Sequence, residues 1–150
     1  MCKLGDIIRI KEFKDEFGEI VSKHSFVVIN DEESYIEGFR YDFVSNMMCS
    51  FHSEEHKNKK LKYKENLLID TKQIRGQKIN NHQGYIKANQ LYYFDKSVIN
   101  YKVIAHIDSE LLDDLVQLIL VLYDNDKLRI VTTNLKEEVC NWHVSNDVII

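Results

Sequence analysis

Between Asp108 and Tyr123 the chain reads DSELLDDLVQLILVLY, with no glycine, proline or turn cluster, and this stretch constrains the fold more than any other. Asp108 or Ser109 offers an N-cap, and Glu110, Asp113 and Asp114 fall in the first turns, where the helix dipole favours negative charge. Leu111, Leu115, Leu118 and Leu122 recur at spacings of three and four and make one apolar stripe. Leu112, Val116 and Ile119 widen it. A helix this broadly apolar needs cover on two sides, from the C-terminal extension or from a partner.

What precedes that helix has strand character. GDIIRI and SFVVIND are β-branched runs, the second ended by the turn signal Asn30-Asp31. The charged KEFKDEFGEIVSK between them, containing Gly18, reads as a flexible loop or wide hairpin. Tyr35 to Phe51 alternates imperfectly and is expected to be one bent strand or a hairpin, with Gly38 at the bend. Residues 52–60 are polar and read as a loop, after which LKYKENLLID returns as a strand. RGQKINNHQG is a further loop, and YIKANQLYYF and YKVIAHI are strands by their aromatic and β-branched content. About six strands suit a small barrel or a curled sheet. KLRIVTT and the final VSNDVII read as two more short strands.

A chain of 150 residues without a linker or repeat is expected to form a single domain over 1–150, with one core. Its 44% hydrophobic and 29% charged residues are those of an ordinary globular protein rather than a disordered one. No segment has signal-peptide character or the length of a membrane span, so a cytoplasmic, membrane-free protein is expected. Three widely spaced cysteines, Cys2, Cys49 and Cys140, argue for free thiols over a disulfide framework. With no proline, turns fall to Gly, Asn and Asp. The net charge of −4 is unevenly spread. Residues 108–150 hold three basic against nine acidic residues, and the rest hold seventeen against fifteen. Within that near-neutral body, HKNKKLKYK gathers Lys57, Lys59, Lys60, Lys62 and Lys64, which suits either phosphate binding or the protection of an edge strand.

In their order these pieces resemble the MazF/PemK family of toxin ribonucleases. Its chains open on a Gly-Asp-Ile/Val strand, matched by Gly5-Asp6-Ile7-Ile8, and a charged loop. A β-branched second strand follows, matched by Lys23-His24-Ser25-Phe26-Val27-Val28-Ile29 in place of the family's Arg-Pro start. DFVSNMMCSF, the HSEEHKNKK loop and LKYKENLLI match the buried strand, polar loop and edge strand. GYIKANQLYYF onward, with Gln90, resembles the family's ending in a Leu-rich helix. The resemblance covers about residues 4–123 and leaves 124–150 as an extension.

What it implies is an α+β, mostly β fold: a small SH3-like barrel of the CcdB/MazF/PemK kind with a long C-terminal helix and a short extra C-terminal extension. It also implies a toxin-like, sequence-dependent endoribonuclease that cuts single-stranded RNA without metal or other cofactor, a homodimer, and a cognate antitoxin as partner. In that chemistry the ribose hydroxyl attacks the adjacent phosphate, leaving a cyclic phosphate and a free 5′ hydroxyl. The reaction needs a proton acceptor, a proton donor and a cation for the phosphorane charge. The family's Arg position falls at His24, and its Thr position near Met48, followed by Cys49 and Ser50. His24, Ser50 and Cys49 are therefore the catalytic candidates, and Lys23, Ser25, His52, Lys60, Lys62 and Gln90 the RNA-binding ones. Imidazole gives and takes protons near neutral pH, which Arg does not do easily. The alternative is an inert family member acting as a protein-binding or RNA-binding module.

Other patterns are weaker. Cys49-x2-His52 with Cys140-x2-His143 has local zinc spacing but lacks a Cys-x2-Cys pair, and no metal site is expected. No nucleophile elbow and no Gly-rich phosphate loop is present. Tyr85, Tyr92 and Tyr93 suit a strand core better than a base-stacking platform.

Overall fold

The computed structural model describes residues 2–36, 38–76 and 83–136. In chain order it contains β1 (Asp6–Lys14), β2 (Ile20–Asn30), β3 (Ser34–Ile36), β4 (Phe39–Tyr41), β5 (Phe43–Ser50), α1 (Glu54–Lys60), β6 (Asn66–Ile69), a 3₁₀ turn (Thr71–Gln73), β7 (Ile74–Gly76), β8 (Gly84–Lys87), β9 (Gln90–Phe94), β10 (Tyr101–Ile107), α2 (Ser109–Asp124) and β11 (Arg129–Asn134). The protein is mostly β, a small α+β fold. Its main sheet runs β11-β9-β5-β2-β1-β10-β7, with β8 joining β5 to β6. All its pairings are antiparallel except β11 on β9.

The sheet curls until β11 comes back to the end of β1. Asn134 locks the two reciprocally: its Oδ1 accepts from the Lys14 N–H at 2.7 Å, and its Nδ2 donates to the Lys14 carbonyl at 2.8 Å. Asn134 is buried, so these bonds satisfy backbone groups that water cannot reach. One face of the curl is filled by Ile8, Ile10, Phe13, Phe26, Val28, Phe43, Tyr92 and Phe94. Ile7, Val27, Ile86, Ala105 and Ile107, on the other face, meet Leu111, Leu115 and Leu122 of α2. Central strands are thus apolar on both faces, which is why Ile7 and Ile8 can both be fully buried.

The helix follows expectation, capped by the Asp108 carboxylate accepting from the Leu111 N–H at 2.8 Å. Several strand boundaries do not. Of the two readings of the charged segment after GDIIRI, the hairpin holds and the flexible loop does not: β1 and β2 run paired from Ile7 opposite Val27 out to Lys14 opposite Ile20. Phe13 points into the core while Glu12 and Lys14 point out, so the alternation persists beneath the charges. Tyr35–Phe51 divides into the β3–β4 hairpin and β5. Residues expected as a loop at 52–60 form α1, and the strand expected from Leu61 starts only at Asn66. YIKANQLYYF is two strands, broken at Ala88-Asn89. There the buried Asn46 amide donates to both the Lys87 and Gln90 carbonyls at 3.0 Å. KLRIVTT supplies β11. VSNDVII, Cys140 and His143 lie outside the described residues. Among the described residues no helix is long and apolar enough to cross a membrane.

Candidate functional site

A cleft begins where two neighbouring strands stop pairing. β2 and β5 stay in register as far as Ser25 opposite Met48. Beyond that point β2 continues against β1, His24 opposite Ile10. β5 continues against β8 instead, Cys49 opposite Tyr85 and Ser50 opposite Gly84. The space between the diverging strands is a cleft of about 640 Å³. Arg9, Lys23, His24 and Ser25 line it from β1 and β2, Met48, Cys49 and Ser50 from β5, and Gly84 and Tyr85 from β8. His52, His56 and Lys60 close one side, Ile69, Thr71 and Ile74 another. Gly84 is needed there: a Cβ on it would collide with the Cys49 carbonyl oxygen, so any larger residue would prise β8 from β5.

α1 is placed by its first residues. Ser53 caps it by accepting from the His56 N–H at 3.0 Å, and the His52 N–H donates to His56 Nδ1 at 3.1 Å. The two imidazoles lie 4.6 Å apart. At the next residue Lys57 Nζ donates to Gln83 Oε1 at 2.7 Å, tying the helix to the start of β8. Lys60 is left facing the cleft.

The lining is cationic. Arg9, Lys23 and Lys60 stand beside three histidines, and among the described residues that line the cleft none is Asp or Glu. The ion pairs of the described residues lie elsewhere, joining Arg40 to Glu33, Asp42 and Asp95, Lys96 to Asp31, and Arg129 to Glu16. Partial burial, the neighbouring His52 and the ammonium groups of Lys60 and Lys59 hold His56 below the ordinary imidazole value. Burial pushes the Cys49 thiol up, against the opposing pull of Lys87, of a hydrogen bond from the Tyr85 hydroxyl and of Lys60. Cys49 is therefore a neutral thiol at neutral pH, able to offer its S–H but not a ready thiolate nucleophile. Iodoacetamide at pH 8 should modify Cys49 more slowly than free cysteine, the rate rising only in stronger alkali as the thiolate forms. Peptide mapping by mass spectrometry reads this, and alkylation as fast as free cysteine would refute the shielded thiol.

Of the residues singled out in the sequence, His24, Cys49, Ser50, Lys23, Ser25, His52 and Lys60 meet at this cleft. Lys62 and Gln90 are not among its lining. α1 ends at Lys60, so Lys62 sits in the exposed turn beyond it. Gln90 opens β9 after the Ala88-Asn89 break, opposite Arg129. Tyr92 is buried in the aromatic core, and Tyr93 packs edge-on to Tyr41 at 4.6 Å. The sequence reading missed Arg9 and His56. A charge inside the apolar run Ile7-Ile8-Arg9-Ile10 and the His52-x3-His56 spacing were their signals. Among the described residues no group of three or more His, Cys, Asp or Glu is arranged to hold a metal ion.

Fold and cleft together define a small β-rich protein with an anion-attracting notch at a strand divergence. Comparison with known proteins returns no matching family model, no matching curated protein and no matching solved structure.

Proposed function

We propose that the protein binds single-stranded RNA in this cleft and cuts it by attack of a ribose 2′-hydroxyl on the adjacent phosphate, as a toxin-like endoribonuclease. The observation that carries the reading is the lining: three cations and three imidazoles, with no Asp or Glu among the described residues. Phosphate is the natural occupant of such a surface, since each cation it meets releases condensed counterions. An imidazole beside phosphate can take the hydroxyl proton that transphosphorylation must remove, and Arg9, Lys23 and Lys60 supply charge for the phosphorane. The order of strands before a Leu-rich helix supports the MazF/PemK resemblance, and with it the SH3-like reading of the curl.

The full chain incubated with mixed-sequence RNA in EDTA should yield 2′,3′-cyclic phosphate and 5′-hydroxyl ends. Absence of cleavage would defeat the nuclease reading. Binding without cleavage would leave an inert RNA-binding module.

Binding should also report on the lysines separately. Charge reversal at Lys60, which faces the cleft, should reduce the slope of log affinity against log salt by about one contact, on the order of 0.7 or more for a single strand. Lys62→Glu, in the turn beyond α1, should leave it unchanged. Equal effects from the two would detach the basic cluster from the cleft.

The homodimer belongs to the same reading. α2 leaves Leu120, Val121 and Tyr123 exposed at 51%, 55% and 65%. Leu120 and Tyr123, three positions apart, share one helix face, and exposed apolar side chains of this kind are what a second copy would cover. Sedimentation at tens of micromolar should give twice the 17.8 kDa of one chain, and Leu120→Glu should halve it. A wild-type monomer at that concentration rules the dimer out.

A further inference from the structure

Resting on the RNA reading above, we propose that His24 and His56 have opposite, fixed tautomers and opposite roles: His24 Nε2 takes the 2′-hydroxyl proton, and His56 donates from Nε2–H to a non-bridging phosphoryl oxygen. The assignment comes from what each ring nitrogen faces. His24 Nδ1 lies 3.2 Å from the Ser22 carbonyl oxygen, and a carbonyl only accepts, so Nδ1 carries the hydrogen. A neutral imidazole has one N–H, which leaves the lone pair on Nε2. His56 is the reverse. Its Nδ1 lies 3.1 Å from the His52 backbone N–H, which only donates, so Nδ1 accepts and the hydrogen is on Nε2.

The consequences differ. His24 can take a second proton on Nε2 without losing its bond to Ser22. His56 can be protonated only on Nδ1, at the expense of the His52 bond and beside Lys59 and Lys60, so it stays a neutral donor. In the step itself the 2′-O–H bond breaks as its proton passes to His24 Nε2, and O2′ forms the new bond to phosphorus. The P–O5′ bond breaks, with His56 holding the charge that gathers on the non-bridging oxygen. The 5′ oxygen leaves with a proton from water and His24 returns its own to water, so the protein ends unchanged.

Glutamine separates the two roles, because its amide donates a hydrogen bond but takes no proton at neutral pH. Single-turnover cleavage of a mixed-sequence RNA by the full chain should fall about 100-fold in His56→Ala, as for losing one oxyanion donor, and stay within about tenfold of wild type in His56→Gln. His24→Gln should be as inactive as His24→Ala. ¹⁵N-resolved histidine spectra of the wild type should show Nδ1–H for His24 and Nε2–H for His56. Wild-type speed in His24→Gln, His56→Gln as slow as His56→Ala, or the opposite tautomers would overturn the assignment while leaving the RNA reading intact. A wild type that cleaves no RNA overturns that reading and the assignment with it.

Discussion

Exchange of His24 for alanine should slow RNA cleavage by about a hundredfold to ten-thousandfold, the range for losing one general acid or base. The fold should survive the change. His24 is only half-buried on β2, beyond the point where β2 leaves β5, and its ring meets the core ring of Phe13 edge-on at 5.9 Å. His24→Arg is the sharper variant, since guanidinium offers charge and donors but no usable base. If His24 is the base, His24→Arg is as slow as His24→Ala. If the wild type is inert and His24→Arg cleaves, the cleft is a disarmed form of the proposed nuclease site. A rate in His24→Ala equal to wild type would remove His24 from the chemistry.

What the sequence made legible follows from which forces are local. α2 was readable because its Leu spacing, acidic first turn and Asp108 cap lie within a few residues of one another, and of its four stripe leucines Leu111, Leu115 and Leu122 are buried while Leu118 packs half-buried against the same cluster. The β1–β2 hairpin was harder. Charges at Lys11, Glu12 and Lys14 mask an alternation whose inward member, Phe13, is recognised only by its partners Phe26 and Tyr92 across the sheet. α1 has no buried residue and no apolar periodicity; it is held by Ser53, by Glu54 and Glu55 in its first turn and by lysines in its last. The break at Ala88-Asn89 depends on Asn46, more than forty positions away, and no window of sequence contains it. The cleft was half legible for the same reason. Strand order brought the second strand beside the fifth and with it His24 beside Cys49 and Ser50, while Arg9 and His56 enter through a neighbouring strand and an unforeseen helix.

Phe26→Ala should cost about 3–5 kcal/mol, the loss for emptying a buried aromatic site, from a total that is about 5–15 kcal/mol in a domain of this kind. Phe26 is fully buried and meets Phe13, Tyr92 and Phe94 at ring distances of 5.0, 5.2 and 5.3 Å. All three contacts are edge-on, the arrangement that aromatic quadrupoles favour. Those partners come from β1 and β9, so removing the central ring loosens the hub that joins both sides of the curl. Phe26→Leu keeps most of the volume and should cost under about 2 kcal/mol. Urea unfolding should show a lower midpoint with an unchanged slope. The effect should also reach the cleft, because Phe13 touches both Phe26 and His24. A Phe13 ring free to sink into the cavity no longer fixes the His24 imidazole, and cleavage by the still-folded fraction should fall about tenfold, well short of removing the base itself. A stability loss below about 1 kcal/mol would mean that the core is not close-packed at its aromatic centre. Unaltered cleavage in a clearly destabilised Phe26→Ala protein would mean that the β2 backbone and the Ser22 carbonyl hold His24 without help from the ring beneath it.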